Sequence, residues 1–103
     1  MNIGKAIRDI RKNQGITQDA LADTADISRT SLSQIENGAR PGEDTLKRLC
    51  AALNVPESLV YIYSFEKEDV PESKRTLYDQ LFPVIKDMIQ RVAGEWSFDS
   101  IIN

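Results

Sequence analysis

A row of polar side chains between residues 29 and 34 carries the clearest chemical signal in the sequence. If this segment is helical, Leu32 and Ile35 share its buried stripe, and the opposite side presents short hydrogen-bonding groups. Arginine pairs with guanine, glutamine with adenine, and hydroxyl groups bond to several base edges, whereas an ordinary solvated helix face usually favours lysine and glutamate. We therefore predict that four side chains read DNA bases: Arg29, Thr30, Ser33 and Gln34.

Two helix-start signals indicate how this row is positioned. Thr17 and Ser28 are candidate N-caps, because each hydroxyl can accept a hydrogen bond from a free amide of the following helical turn. Each is preceded by an isoleucine and followed four residues later by a leucine, which is the spacing of a hydrophobic staple. Caps this close leave room for only about two turns in the first helix before a sharp turn, which predicts a helix-turn-helix.

The segment 17–38, TQDALADTADISRTSLSQIENG, resembles the lambda-repressor-like (XRE/Cro-type) helix-turn-helix family of DNA-binding domains. The shared features are the Thr-Gln opening, the Leu-Ala step, the Ser-capped second helix and the Ile-Glu-Asn-Gly ending. The resemblance covers roughly residues 2–63 and implies a bundle of about five helices that places the second motif helix in the major groove. We predict an all-α fold, with a five-helix lambda-repressor-like DNA-binding bundle in residues 1–65 and a C-terminal helical extension in residues 66–103.

The resemblance also implies roles for individual side chains. In the family, residues that match Gln18 and Asn37 contact the DNA backbone, and the residue that matches Arg11 commonly pairs with the one that matches Glu36; two exposed charges are the alternative. Asp26 stands where the family often has glycine, so we expect a positive φ there. Arg40 is either a phosphate contact or an ordinary loop residue. The predicted backbone contacts are Gln18, Ser28, Ser31, Asn37 and Arg40.

Apolar residues three and four positions apart predict the other helices of the bundle. The first spans residues 2–14, and Gly15 is suited to end it in a left-handed conformation. The fourth carries Cys50 on its apolar stripe, which we interpret as a small core residue. The remaining predicted boundaries are 18–25, an end at Asn37-Gly38, 43–53 and a start at Val55-Pro56.

A last helical pattern runs to about Val92 and is too apolar for a free surface helix. It either folds back on its own bundle or pairs with a second copy, and we favour a homodimer because helix-turn-helix repressors usually bind paired half-sites. Pro83 should kink or divide this helix. Residues 94–103 either dock on the partner or form a small binding strand. The predicted dimer interface is Leu77, Leu81, Phe82, Ile85, Met88, Ile89 and Val92.

Composition limits the remaining classes of function. The chain has one cysteine, no histidine and no glycine-rich phosphate loop, so we expect no metal, no cofactor and no catalysis. It has no apolar run near the length of a membrane span and no signal-peptide pattern, which favours a cytoplasmic protein without a membrane partner.

Charge is distributed unevenly along the chain. The net charge is −3, but residues 1–55 carry eight basic and seven acidic residues, whereas residues 56–103 carry five and nine. Acidity is therefore concentrated in the C-terminal half, and we expect modest non-specific affinity for DNA. Asp19 and Asp23 would repel phosphate, so we expect them to point away from the DNA.

These features favour a sequence-specific DNA-binding transcriptional regulator, a repressor that binds a two-fold symmetric operator in double-stranded DNA as a homodimer. One alternative is an antitoxin-type or accessory regulator whose C-terminal helix binds a different protein. Another is a protein-interaction module that has kept the fold but lost DNA binding, which the acidic net charge would suit.

Overall fold

A computed structural model describes residues 1–95 and shows a helical bundle. Two short 3-10 turns, Lys67–Asp69 and Glu72–Lys74, connect the fifth and sixth helices. None of the helices within residues 1–95 combines the length and apolar composition that crossing a bilayer requires. The α-helices are α1 (Ile3–Asn13), α2 (Gln18–Ala25), α3 (Arg29–Glu36), α4 (Glu43–Leu53), α5 (Glu57–Tyr63) and α6 (Arg75–Glu95).

Local signals set the helix ends close to their predicted positions. The predicted spans of α2 and α4 are confirmed, and Gly15 follows the end of α1 with φ +74°. Asp26 ends α2 at φ 57°, which confirms the predicted left-handed turn residue. Asn54 ends α4 in the same conformation at φ 59°, a role that the sequence prediction missed. Pro56 lies at the N-cap of α5, one residue before the helix begins.

One hydrophobic core joins the first five helices and also includes Ile89 of α6. The isoleucines that precede the N-caps of α2 and α3 pack against it, as the staple spacing predicts. Cys50 is a buried member of this core, and burial, followed by the charge of Glu57, raises the pKa of its thiol to about 11. The thiol therefore stays protonated near neutral pH, as expected for a packing residue. The largest fully buried side chains are Ile7, Ile10, Leu21, Leu32, Leu49, Leu53 and Val60.

Helix α6 folds back onto the bundle while keeping a second apolar face exposed. Phe82 and Ile89 are buried, and the Gln90 side chain donates a 2.8 Å hydrogen bond to the hydroxyl of Tyr63 on α5. The helix continues through Pro83, so of the two predicted effects, a kink or a division, the division does not occur. Of the predicted tail, residues 96–103 lie outside the described residues.

The N-terminus fastens the connector between α5 and α6 to the bundle. The ammonium group of Met1 lies 2.8 Å from a carboxylate oxygen of Asp69 and 3.2 Å from one of Glu66. The amide of Asn2 donates to the carbonyl of Ser64 at 2.9 Å, and its side chain caps α1. The end of α5 and the first 3-10 turn are therefore held beside the start of α1.

Gly4 marks the closest approach between α1 and α3. A Cβ atom at this position would lie 1.8 Å from the carbonyl oxygen of Ile35 and 2.8 Å from its carbonyl carbon. The opposing atoms belong to the backbone and cannot rotate away. Only glycine therefore allows α1 to contact the end of α3 at this distance.

We predict that Gly4→Ala lowers the free energy of unfolding by about 1–3 kcal/mol, because α1 and α3 must separate to admit the methyl group. Urea denaturation followed by circular dichroism measures the change. Gly42→Ala is the control, since a Cβ there meets nothing within 4 Å and its φ is an ordinary −67°. Equal losses in the two variants would contradict the proposed contact.

Candidate nucleic-acid interface

Side-chain caps fix the beginnings of α2 and α3. The Thr17 hydroxyl accepts a hydrogen bond from the amide of Ala20 at 3.1 Å, and the Ser28 hydroxyl accepts one from the amide of Ser31 at 3.0 Å. Both predicted N-caps are thus confirmed. In the turn between the helices, the Asp26 carbonyl accepts a 3.3 Å bond from Arg48 on α4. The turn is therefore tied to the bundle as well as to its own helices.

A buried ion pair joins α1 to the end of α3. Arg11 donates two hydrogen bonds of 2.8 Å to the two carboxylate oxygens of Glu36, and these side chains are only 9 % and 2 % exposed. Arg11 also donates to the carbonyl of Ile16, just before α2. The pair implied by the family resemblance is therefore present, and the alternative of two exposed charges is wrong.

Gln18 adds α2 to this network. Its amide nitrogen donates a 3.0 Å hydrogen bond to an oxygen of Glu36 that also accepts from Arg11. Burial acts to raise the pKa of Glu36, but the bonds from Arg11 and Gln18 and the charges of Arg11 and Arg8 outweigh it and lower that pKa. Glu36 therefore stays ionised and holds three helices in a fixed relation.

The predicted base-reading residues lie along α3. Arg29, Thr30 and Gln34 are exposed, and Ser33 is half-buried. The guanidinium of Arg29 lies 3.4 Å from the carboxylate of Asp19 in the first turn of α2. The first turns of α2 and α3 are therefore neighbours at the surface, and Asp19 lies beside Arg29.

The residues predicted to contact the DNA backbone surround this row. Ser28 donates its hydroxyl hydrogen to the Ser31 hydroxyl at 2.8 Å, and within residues 1–95 the Ser31 hydroxyl donates to no acceptor, so its hydrogen can point outward. The Asn37 amide folds back and donates to the carbonyl of Ser33 at 2.9 Å. Arg40 is exposed in the loop after α3. Gln18 is half-buried against Glu36, so one of its amide hydrogens is already engaged.

Two contacts at this surface were missed by sequence reasoning. The Gln18–Glu36 bond spans 18 residues, and no local spacing indicates it. The Asp19–Arg29 contact joins two helices across the turn, whereas we expected Asp19 to point away from the DNA.

Comparisons with known proteins agree on one family. The helix-turn-helix family profile matches residues 7–60. The competence pilus inhibition repressor of Acinetobacter baylyi is 38 % identical over 63 residues, which cover 60 % of this chain and 57 % of that protein. The transcriptional regulator ClgR of Mycobacterium tuberculosis is 36 % identical over 66 residues, or 63 % and 59 % of the two chains.

A longer match includes most of the C-terminal part. The HTH-type transcriptional regulator ImmR of Bacillus subtilis is 32 % identical over 96 residues, which cover 92 % of this chain and 71 % of that protein. The chain spans a little under three fifths of the first two relatives. No solved structure matches significantly.

We predict that Glu36→Gln lowers the free energy of unfolding at neutral pH by about 3 kcal/mol, because it leaves Arg11 buried without a counter-charge. Since the pKa of Glu36 is lowered in the folded state, its ionisation stabilises the protein above the ordinary pKa of about 4.5 and ceases to do so as pH falls through the folded value. The difference between wild type and variant should therefore shrink below pH 4.5.

Urea titrations at several pH values measure this difference. Glu43→Gln is the matched control, because Glu43 is also paired, but at the surface. Its carboxylate lies 3.6 Å from the ammonium group of Lys47, one turn along α4, and both side chains are exposed. We expect that substitution to change stability by less than about 0.5 kcal/mol. A Glu36→Gln loss as small as the control, or one that does not vary with pH, would contradict the role assigned to the pair.

Proposed function

This chain belongs to the lambda-repressor-like (XRE/Cro-type) helix-turn-helix family, and on that premise we propose that it is a sequence-specific DNA-binding transcriptional regulator, acting as a repressor on a two-fold symmetric operator. The observation that carries the proposal is the exposed polar row of α3, supported from behind by the buried Glu36 network. A rigidly held helix with Arg29 and Gln34 exposed suits the major groove. As a DNA regulator it would act in the cytoplasm.

In this proposal α3 reads bases and its surroundings bind phosphate. Arg29, Thr30, Ser33 and Gln34 face base edges. Ser31 donates its free hydroxyl hydrogen to a phosphate, and the amide groups at the start of α2 favour a second phosphate near Gln18. Asn37 and Arg40 would contact the backbone beyond the end of α3. Ser28 acts mainly through its cap of α3.

We propose a homodimer built on α6, with residues 66–103 supplying the contact and residues 1–65 binding DNA. Because Phe82 and Ile89 are buried in their own chain, the proposed surface omits these two predicted residues and gains Val84. The side chains on this surface are between 41 and 61 % exposed, and large apolar patches of this kind mark interfaces. The proposed contact residues are Leu77, Leu81, Val84, Ile85, Met88 and Val92.

The same face supports a second candidate function, an antitoxin-type or accessory regulator that binds a different protein. A groove of about 400 Å³ lies beside α6 and is lined by Ile62, Phe65 and Val70 together with α6 residues. A second copy and an unrelated partner would both cover this groove. A stoichiometric second polypeptide that co-purifies with the chain would favour the accessory role.

Selection of bound sequences from random duplex DNA tests the main proposal. We expect a two-fold symmetric consensus with half-site centres about 34 Å apart. We expect only modest affinity for random DNA and a shallow dependence on salt, because the net charge is −3. No enrichment at low salt would overturn the proposal.

We predict that Arg29→Ala and Gln34→Ala each weaken binding to the selected site by about 1–3 kcal/mol and weaken binding to random DNA much less. The reason is that base contacts add affinity only at the correct sequence. Fluorescence anisotropy on both DNAs measures the two affinities. Arg91→Ala is the control, since Arg91 is an exposed arginine on α6. Equal losses on the two DNAs would contradict the base-reading role.

We predict that Leu81→Asp converts the dimer to a monomer and removes tight binding to the full operator, because it places a charge in the proposed interface. Leu81 is 51 % exposed, so the fold should survive. Sedimentation equilibrium measures the molecular mass, and Gln80→Asp, at an exposed polar neighbour, is the control. A wild-type protein that stays monomeric while it binds the full operator would contradict the interface.

A further inference from the structure

An ion pair between the first turns of α2 and α3 lies at the surface proposed to meet DNA. The Nε atom of Arg29 is 3.4 Å from a carboxylate oxygen of Asp19, and the two side chains are 66 % and 73 % exposed. Arg29 is the first residue of α3, and Asp19 is the second residue of α2. The acid therefore adjoins the arginine assigned to base reading.

The contact with Asp19 leaves the two terminal nitrogens of the Arg29 guanidinium available for hydrogen bonds to DNA. A guanidinium carries five N–H donors in a rigid plane, and Asp19 approaches it from the Nε side. The two terminal nitrogens have no partner within residues 1–95. They can donate two bonds to the O6 and N7 atoms of guanine. An arginine held in place before binding loses less conformational freedom when it reaches the base.

Asp19 also weakens the attraction between the start of α2 and the phosphates of the DNA backbone. The start of a helix favours a phosphate, and a carboxylate there competes with it and repels it. This repulsion weakens binding to every sequence. The positioning of Arg29 strengthens binding only where guanine faces it. The two effects together raise the ratio of specific to non-specific affinity.

We propose that Asp19 is a positioning residue that sets specificity: it holds the Arg29 fork towards guanine and lowers affinity for all other DNA. This inference rests on the proposed DNA-binding function. Arg29 then reads guanine, and an acidic residue of α2 determines part of the sequence preference of α3.

A double-mutant cycle tests the inference on the selected operator. The cycle comprises wild type, Asp19→Asn, Arg29→Ala and the double variant, each measured on the operator, on an operator with the guanine replaced, and on random DNA. We expect Asp19→Asn to reduce discrimination for guanine about two- to fivefold, the size expected of an exposed ion pair. In the Arg29→Ala background the same substitution should leave discrimination unchanged, while it raises affinity for random DNA in both backgrounds.

Two further variants separate positioning from charge. Asp23→Asn removes the same charge from the same helix, and within residues 1–95 the exposed Asp23 carboxylate has no hydrogen bond or ion pair. It should raise affinity for random DNA without changing discrimination. Asp19→Glu keeps the carboxylate and should restore part of the discrimination.

The outcomes distinguish failure of the positioning role from failure of the DNA-binding proposal. If wild type selects an operator but Asp19→Asn discriminates as wild type does, or changes discrimination equally in both backgrounds, the positioning role is overturned and the DNA-binding proposal stands. If Asp23→Asn has the same effect as Asp19→Asn, charge alone is responsible and the positioning role is again overturned. If wild type selects no sequence, both proposals are overturned.

Discussion

The buried contact between Arg11 and Glu36 is the constraint on which the rest of the bundle depends. Removing two charges from water is costly, and only a bidentate pair with further hydrogen bonds compensates for that cost. Here the additional bonds come from Gln18 and from the carbonyl of Ile16, so the network closes only when α1, α2 and α3 have one relative placement. An apolar cluster of similar volume would tolerate small displacements, whereas this network does not.

Small residues allow α1, α2 and α3 to pack closely enough to form this network. Gly4 lets α1 approach the carbonyl of Ile35, and buried Ala22 and Ala25 keep the inner face of α2 narrow. Small side chains provide little apolar surface to bury, so the polar network and the caps contribute much of what fixes this corner. The result is that α3, only eight residues long, is supported at its start by the Ser28 cap and at its end by Glu36.

Local signals in the sequence predicted most of the fold, because helix caps, staples and left-handed turn residues act within a few positions. Thr17 and Ser28 are the predicted N-caps, and Asp26 has the predicted positive φ. Contacts between helices were predicted only where a family resemblance supplied them, as for Arg11 and Glu36. The Asp19–Arg29 contact and the close approach at Gly4 depend on how the helices are arranged, which apolar spacing does not specify.

The long helix α6 shows a further limit of periodicity. Its apolar stripe is wider than one neighbour can cover, and spacing alone does not reveal which part faces inward. In the structure Phe82 and Ile89 take the inner side, whereas Leu81 and Ile85 remain exposed. The C-terminal half that contains this helix carries five basic and nine acidic residues, so phosphate repels it. In the proposed complex, this distribution of charge would favour an approach of α3, rather than of the C-terminal half, to the duplex.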